Sequence, residues 1–303
     1  MTNPVLDEKR LIAQEKLNNP SLMRTIWREI KHDKMALGSL ILLTIIVLAA
    51  YISPLIIDPA SLTRVNFLNV WKPPSAANWL GTDDGGRDVF GQLMVGTRNS
   101  LTIGFCVTII AGIFGLTYGL ISGFYGGAVD NIMMRILEFL MVLPSLMFII
   151  VFVTIVPNYN VFTFILIMSA FYWFGKARLI RSRALAEREL DYINASKTLG
   201  TPSWKIMFFE MFPNLSSLVI VNMTLSLAGN IGLETGLTFL GFGLPAGTPS
   251  LGTLISFARN PDIVKNKWWS WLPAALLILV MMLCINYVGQ AVKRASDARQ
   301  RLA

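Results

Sequence analysis

The chain has 303 residues, 54% of them hydrophobic and only 15% charged, and a formal net charge of +8. Soluble domains carry nearer a quarter charged residues, so this composition excludes an ordinary water-soluble domain and indicates an integral membrane protein. The basic excess does not argue for nucleic acid, because basic flanks of membrane spans produce the same balance.

Residues 1–34 are polar and basic and are expected to form a cytoplasmic segment. No small-residue cleavage site follows the first apolar run, so that run reads as a signal-anchor span. Within the segment, residues about 20–31 form an amphipathic pattern. Leu22, Met23, Ile26, Trp27 and Ile30 share one side, with Arg24, Arg28 and Lys31 elsewhere. Such a helix suits a lipid interface, with Trp27 at headgroup level. Six spans of about 20 residues follow, at 35–57, 99–123, 132–156, 160–178, 214–241 and 270–291. An outer loop at 58–98 separates the first span from a five-helix core at 99–291, and a tail closes the chain at 292–303. With the N-terminus inside, nineteen of the 26 Lys and Arg fall on the inner side. The positive-inside rule therefore places both termini and the 178–213 loop in the cytoplasm.

The outer segment Asn78–Phe90 is a Gly-rich turn in which Asp88 is a candidate cap for the next helix. Its acids do not fit an EF-hand, because Arg87 stands where a ligand is needed and the final Glu is missing. The second span and its exit carry Gly115, Gly119, Gly123 and Gly127 at four-residue spacing. These overlapping GxxxG patterns admit a closely packed neighbouring helix, either as fixed packing or as a surface that slides. In the fifth span Asn222, Ser226, Asn230, Glu234 and Thr238 recur every four residues. Steps of four drift by about 40° on a 3.6-residue helix, which gives a slow spiral. The spiral reads either as polar glue between helices or as the wall of a solute path, with Glu234 facing a substrate amine.

The 178–213 loop is the most charged internal stretch. Gly200 suits the C′ position of one helix. Thr201 then Pro202 suit an N-cap and first position of a second, and Pro213 marks the expected break before the fifth span. Tyr192, Ala195, Ser196 and Leu199 share a face that either fits a groove on a soluble partner or lies on headgroups. Chemistry of the chain's own is poorly provided for. His32 is the only histidine, and Cys106 and Cys284 lie inside apolar runs and read as buried thiols. The nearest approach to a phosphate-binding loop, Gly175-Lys176, has Ala170 and Ala177 where Gly and Ser/Thr are required.

The loop resembles the EAA loop of ABC-importer permeases. Asn194-Ala195-Ser196, Gly200 and Phe212-Pro213 stand at the family's spacing, with Asn194 for its glutamate, Ser196 for alanine, Glu210 for isoleucine and Phe212 for leucine. Asp191, three residues before Asn194, offers a charge in place of the missing one. Further segments resemble the dipeptide/oligopeptide/nickel branch of that family across essentially the whole chain. They are Leu80–Val89, Tyr125-Gly-Gly with Asp130 and Arg135, Pro144-Ser-Leu, Glu234–Gly243 with Thr248-Pro249-Ser250, and Trp268-Trp269 with Pro273. Lys34–Gly38 resembles the C-type subunit, whereas Asp297-Ala298-Arg299 departs from the usual Asp-Pro-Arg. The resemblance implies an all-α membrane protein of the type I importer architecture, with six transmembrane helices and an N-terminal interfacial helix. It implies a homologous B-type permease as partner, two cytoplasmic ATPases docked on the 190–206 helices, and an extracytoplasmic solute-binding protein. The chain itself would hold no cofactor, ATP and Mg being bound by the ATPases, and the solute would be a peptide or, within the branch, nickel or another small solute. The reading from another class is a stand-alone gradient-driven transporter or channel, although no repeated half of the kind such carriers show is visible. An embedded enzyme lacks a nucleophile–base pair.

Overall fold

The computed structural model describes residues 22–56, 64–157, 159–245 and 247–300. The expectations for residues 1–21, for the start of the outer loop at 57–63 and for the last three residues lie outside the described residues. Helices make up the ordered elements, and no strand is present among the described residues beyond an isolated Thr82–Asp88 bridge. In chain order they are α1 (Leu22–His32), α2 (Lys34–Ile56), α3 (Val89–Tyr125), α4 (Gly127–Val142), α5 (Ser145–Ile155), α6 (Val161–Phe171), α7 (Phe174–Glu187) and α8 (Asp191–Thr198). They continue with α9 (Ser203–Leu240), α10 (Leu251–Ile255), α11 (Pro261–Asn266) and α12 (Leu272–Gln300). Four of these, α2, α3, α9 and α12, are individually long and apolar enough to cross a membrane. The pairs α4/α5 and α6/α7 bring the number to six if each counts as one bent span. The protein is a multi-pass membrane protein.

Two expected straight spans are broken. The third span divides at Leu143-Pro144, where the axis turns by 76°. Proline removes an amide donor and forces the residue before it out of the helical region, and Leu143 is extended at φ −69°, ψ 130°. The fourth span does not end near 178. It bends by 43° after Phe171 and runs on to Glu187. At that bend the Trp173 indole N–H donates to the Ala170 carbonyl at 3.0 Å, occupying an acceptor that the break releases. The second span begins ten residues earlier than expected, because the Asp88 carboxylate accepts from Gly91 N–H at 2.7 Å and caps α3 there.

The fifth span also starts early, and Pro213 does not interrupt it. Residues Ile206–Met211 are π-helical, and Phe212 N–H reaches back to the Met207 carbonyl. The wider turn accommodates a residue without an amide donor, so the helix passes through Pro213 into its apolar part. Cys284 is buried as expected, but Cys106 is only half-buried, because its side of α3 meets partly covered residues.

α1 lies against α2 and α12 rather than on lipid alone. Ile26 and Ile30 are buried with Ala36, Ala291, Val292 and Ala295, while Trp27 is half-exposed. Arg294 pairs with Glu29 at 3.2 Å and with Asp33, fastening the last helix to the α1–α2 corner. Asp33 Oδ1 also accepts from Met35 N–H at 2.9 Å and Ala36 N–H at 3.2 Å. The Ala36 amide chiefly, helped by Met35 and Arg294, holds its carboxyl below the ordinary carboxylate range. At the opposite end Tyr51 and Thr102 hydroxyls meet at 2.8 Å, so α3 returns towards the end that carries α1.

A knot of polar contacts closes that opposite end. The fully buried Asp83 carboxylate accepts from Gly85 and Arg87 amides at 2.9 Å, from Arg87 Nε at 2.8 Å and from Gln92 at 2.8 Å. Trp269 Nε1 donates to the Thr82 carbonyl at 3.2 Å, joining the stretch before α3 to the stretch before α12.

The most extensive helix contact among the described residues is α3 on α7. A Cβ added at Gly115 would lie 2.7 Å from Lys176 Cβ, one at Gly119 2.6 Å from the Ala177 carbonyl oxygen, and one at Gly123 2.5 Å from Ala184 Cβ. Backbone and Cβ atoms of α7 cannot move aside as a flexible side chain would. Gly127 does not join this stripe: it lies beyond the Gly126 turn, at φ +50°, with nothing within 4 Å of a built Cβ. We expect Gly119→Leu to destabilise the detergent-solubilised chain by about 1–3 kcal/mol or more through overpacking. Gly38→Ala, where a Cβ meets nothing within 4 Å, should leave the thermal midpoint unchanged or slightly raised.

Candidate functional site: a helical elbow and a cavity between bent helices

The elbow is built from the end of α7, all of α8 and the start of α9. α8 ends in a paired-hydrogen-bond C-cap: Gly200 N–H donates to Lys197 O and Thr201 N–H to Ser196 O, both at 3.0 Å. Gly200 has φ +76°, a left-handed conformation in which a Cβ is strained. The expected cap pair is displaced by one residue. Pro202 itself occupies the N-cap of the next helix and Thr201 makes no capping bond, because Lys205 and Ile206 amides both return to the Pro202 carbonyl.

One residue that the periodicity did not single out anchors the elbow. Ile193 is fully buried among Ile180, Ala184, Ile206, Met207 and Met211. The Tyr192–Ala195–Ser196–Leu199 edge consequently turns away from the bundle: Leu199 is 84% exposed, Ala195 is exposed and Ser196 is half-buried. At the start of α9 the rings of Trp204 and Phe209, with centres 6.0 Å apart, are also exposed. Asp191 is exposed and has no ion-pair partner among the described residues, and Asn194 donates to the Glu189 carbonyl at 3.2 Å. Pro213 is exposed beside Asn214.

Polar contacts fix the elbow's angle. Tyr192 donates to Glu187 Oε1 at 2.5 Å, and Asn214 Nδ2 donates to the same oxygen at 3.0 Å and to the Tyr192 oxygen at 2.7 Å. This triangle ties α7, α8 and α9 together. Burial first, then the Glu187 hydrogen bond, push the Tyr192 hydroxyl up to about 12, so it stays a donor at any physiological pH. Lys197 sits 5.4 Å from the Phe124 ring centre at the end of α3. Below the elbow, the two Asp130 carboxylate oxygens of α4 accept from Nε and Nη2 of Arg181, and Oδ1 also accepts from Ser122 of α3. Arg135, from the same motif, is exposed and only meets Glu138 at 3.6 Å.

The polar spiral of α9 splits in two. Asn222 and Ser226 line a cavity of about 500 Å³ together with Leu143, Ser145, Tyr172 and Lys176. Both helix breaks thus face the same space. Asn230 and Glu234 do not reach it. Asn230 is buried and donates to Thr108 at 2.8 Å. Glu234 is fully buried; it accepts from Thr238 at 3.0 Å and Thr235 at 3.4 Å, with the Ser100 and Ser250 hydroxyls completing its shell. The reading of Glu234 as a group open to a substrate amine is therefore corrected to a buried acceptor that joins α3, α9 and α10. The drift of the spiral carries the later residues off the cavity face and into the bundle.

Residues 115–302 match the family described as binding-protein-dependent transport system inner membrane component. The chain belongs to this family. Residues 21–74 also match the N-terminal transmembrane domain of oligopeptide transport permease C. An oligopeptide transport system permease protein of Lactococcus lactis subsp. cremoris is 49% identical over 93% of this chain and 97% of its own length. The corresponding oligopeptide protein of Bacillus subtilis is 35% identical over 95% of this chain and 93% of its length. A dipeptide transport system permease protein of the same organism is 34% identical over 99% and 95%. A solved structure of an inward-facing MetNI methionine ABC transporter shares the fold, with a TM-score of 0.55 and 18% identity over 68% of this chain and 97% of that one.

Anchor and edge of α8 should separate on substitution. Ile193→Ala should loosen the elbow by about 2–5 kcal/mol, read as faster hydrogen exchange in residues 190–206. Leu199→Ala should change that exchange by no more than about 0.5 kcal/mol, as exposed positions do.

Proposed function

We propose that this chain is one permease subunit of an ATP-driven importer that moves peptides into the cell by alternating access. The observation that carries the reading is the elbow: a short helix rigidly seated by Ile193, whose outer edge leaves Leu199, Trp204 and Phe209 uncovered. A large apolar side chain kept out on a charged loop fits an interface with another protein. The peptide and oligopeptide permeases that share a third to a half of its residues support the solute class.

In this reading both termini and α8 are cytoplasmic, as the excess of Lys and Arg on that side supports. Two cytoplasmic ATPases bind ATP and Mg and grip the elbows of this chain and of a homologous second permease, and an extracytoplasmic binding protein delivers the solute. The chain has no Gly-Lys-Ser/Thr phosphate loop, so ATP hydrolysis belongs to the partners and this subunit is not itself an enzyme. Closure of the ATPases would move α8, and the Glu187–Tyr192–Asn214 triangle would pass that motion to α7 and α9 together. Asn222 and Ser226 would then line the solute path.

Leu199→Asp removes the exposed apolar contact without disturbing the buried side of α8. We expect it to abolish co-purification of the ATPases while the chain still inserts and folds. Gly200→Val, which strains the left-handed C-cap, should weaken both docking and uptake. Normal ATPase retention and uptake in both variants would refute the elbow as the docking element.

A further inference from the structure

The cavity between the bent helices contains a cation without a counter-ion. Lys176 is half-buried at the start of α7, and its ammonium donates to the Tyr172 carbonyl at 2.9 Å. An ammonium has three donors, and no acidic side chain among the described residues pairs with this one. A lysine within a membrane-spanning element faces a cavity and a partner as a rule; here the cavity is present, and no acidic partner is found among the described residues.

A second feature points to the same charge. α5 begins at the Pro144 break with no side-chain cap, and its first hydrogen bond runs from Phe148 N–H to the Pro144 carbonyl at 3.2 Å. The amides of Ser145, Leu146 and Met147 therefore precede the hydrogen-bonded ladder, and Ser145 lines the cavity. The free N-terminus of an 11-residue helix carries positive potential. The Asn222, Ser226 and Ser145 side chains make no side-chain hydrogen bond among the described residues, and all three line the cavity. A space of about 500 Å³ is of the size that takes a small ligand.

We propose that Lys176 and the N-terminus of α5 form a carboxylate subsite that receives the C-terminal carboxylate of the transported peptide, with Asn222 and Ser226 meeting its amide groups. This rests on the importer reading above. The site favours a negative group, since no acidic side chain lines the cavity among the described residues, and two of the elements that form it, α7 and α9, lead to the elbow.

The test uses the full complex of both permeases, ATPases and binding protein in proteoliposomes. Uptake of trialanine is compared with uptake of trialanine amide for wild type, Lys176→Gln and Lys176→Arg. The binding protein is the same throughout, so its own preference cancels in each variant-to-wild-type ratio. We expect Lys176→Gln to lower trialanine uptake at least tenfold and to change amide uptake less than twofold. Lys176→Arg, which keeps the charge, should recover most of the loss. An equal fall for both peptides would overturn the subsite, because it would mean that Lys176 pairs with a neighbouring subunit or with a lipid phosphate. Unchanged uptake of both would overturn it as well. A wild-type complex that imports neither peptide would instead sink the importer reading, and the subsite with it.

Discussion

The absence of side chains at three positions of α3, four residues apart, lets a second helix lie directly on its backbone. Gly115, Gly119 and Gly123 face Lys176, Ala177 and Ala184 of α7 at separations that leave no room for a single added methyl group. Small residues at four-residue spacing permit such an approach, and the dispersion contacts made along it are lost together if the helices part. The Asp130–Arg181–Ser122 cluster, in which Asp130 and Ser122 are buried and Arg181 half-buried, then adds polar contacts to the same pairing. The two helices are held as one body.

This pairing gives the remaining features their geometry. α7 is about 21 Å long at 1.5 Å per residue. Lys176, near its start, lines the cavity, and Glu187, its last residue, fastens the elbow. α9 runs the other way, from the elbow at Ser203 through the π-helical stretch to Asn222 and Ser226 on the cavity wall. Two of the elements that bound the cavity therefore end at the same elbow, and the Glu187–Tyr192–Asn214 triangle ties both of them to α8. π-helical turns recur at functional positions, and this one lies in a single helix that runs from the elbow to the cavity wall.

Much of the site was legible, and the failures share a cause. The left-handed Gly200, the Asp88 cap and the amphipathic α1 are local: each depends on residues within one or two turns. The exposed edge of α8 was read correctly as a face, but its direction was not legible, because Ile193 on the other side decides it by fitting among residues from α7 and α9. The breaks at Leu143-Pro144 and Tyr172-Trp173 fell inside runs that hydropathy reads as continuous. Pro213 gave the opposite error, since a wider helical turn tolerated it. Glu234 was placed in an apolar run by the sequence, yet the hydroxyls that enclose it come from positions more than a hundred residues apart in the case of Ser100.

Composition, hydropathy and the spacing of glycines and prolines were enough to establish a many-helix membrane protein with a helix–turn–helix loop and a closely packed second span. Those properties follow from how each segment meets lipid or water and from its own backbone preferences, which neighbouring residues determine. Which polar residues face a cavity and which are enclosed was decided only by the tertiary structure. A spiral of Asn222, Ser226, Asn230 and Glu234 presents no single face, so the helices packed around α9 decide the environment of each, and their positions depend on contacts distant in the chain.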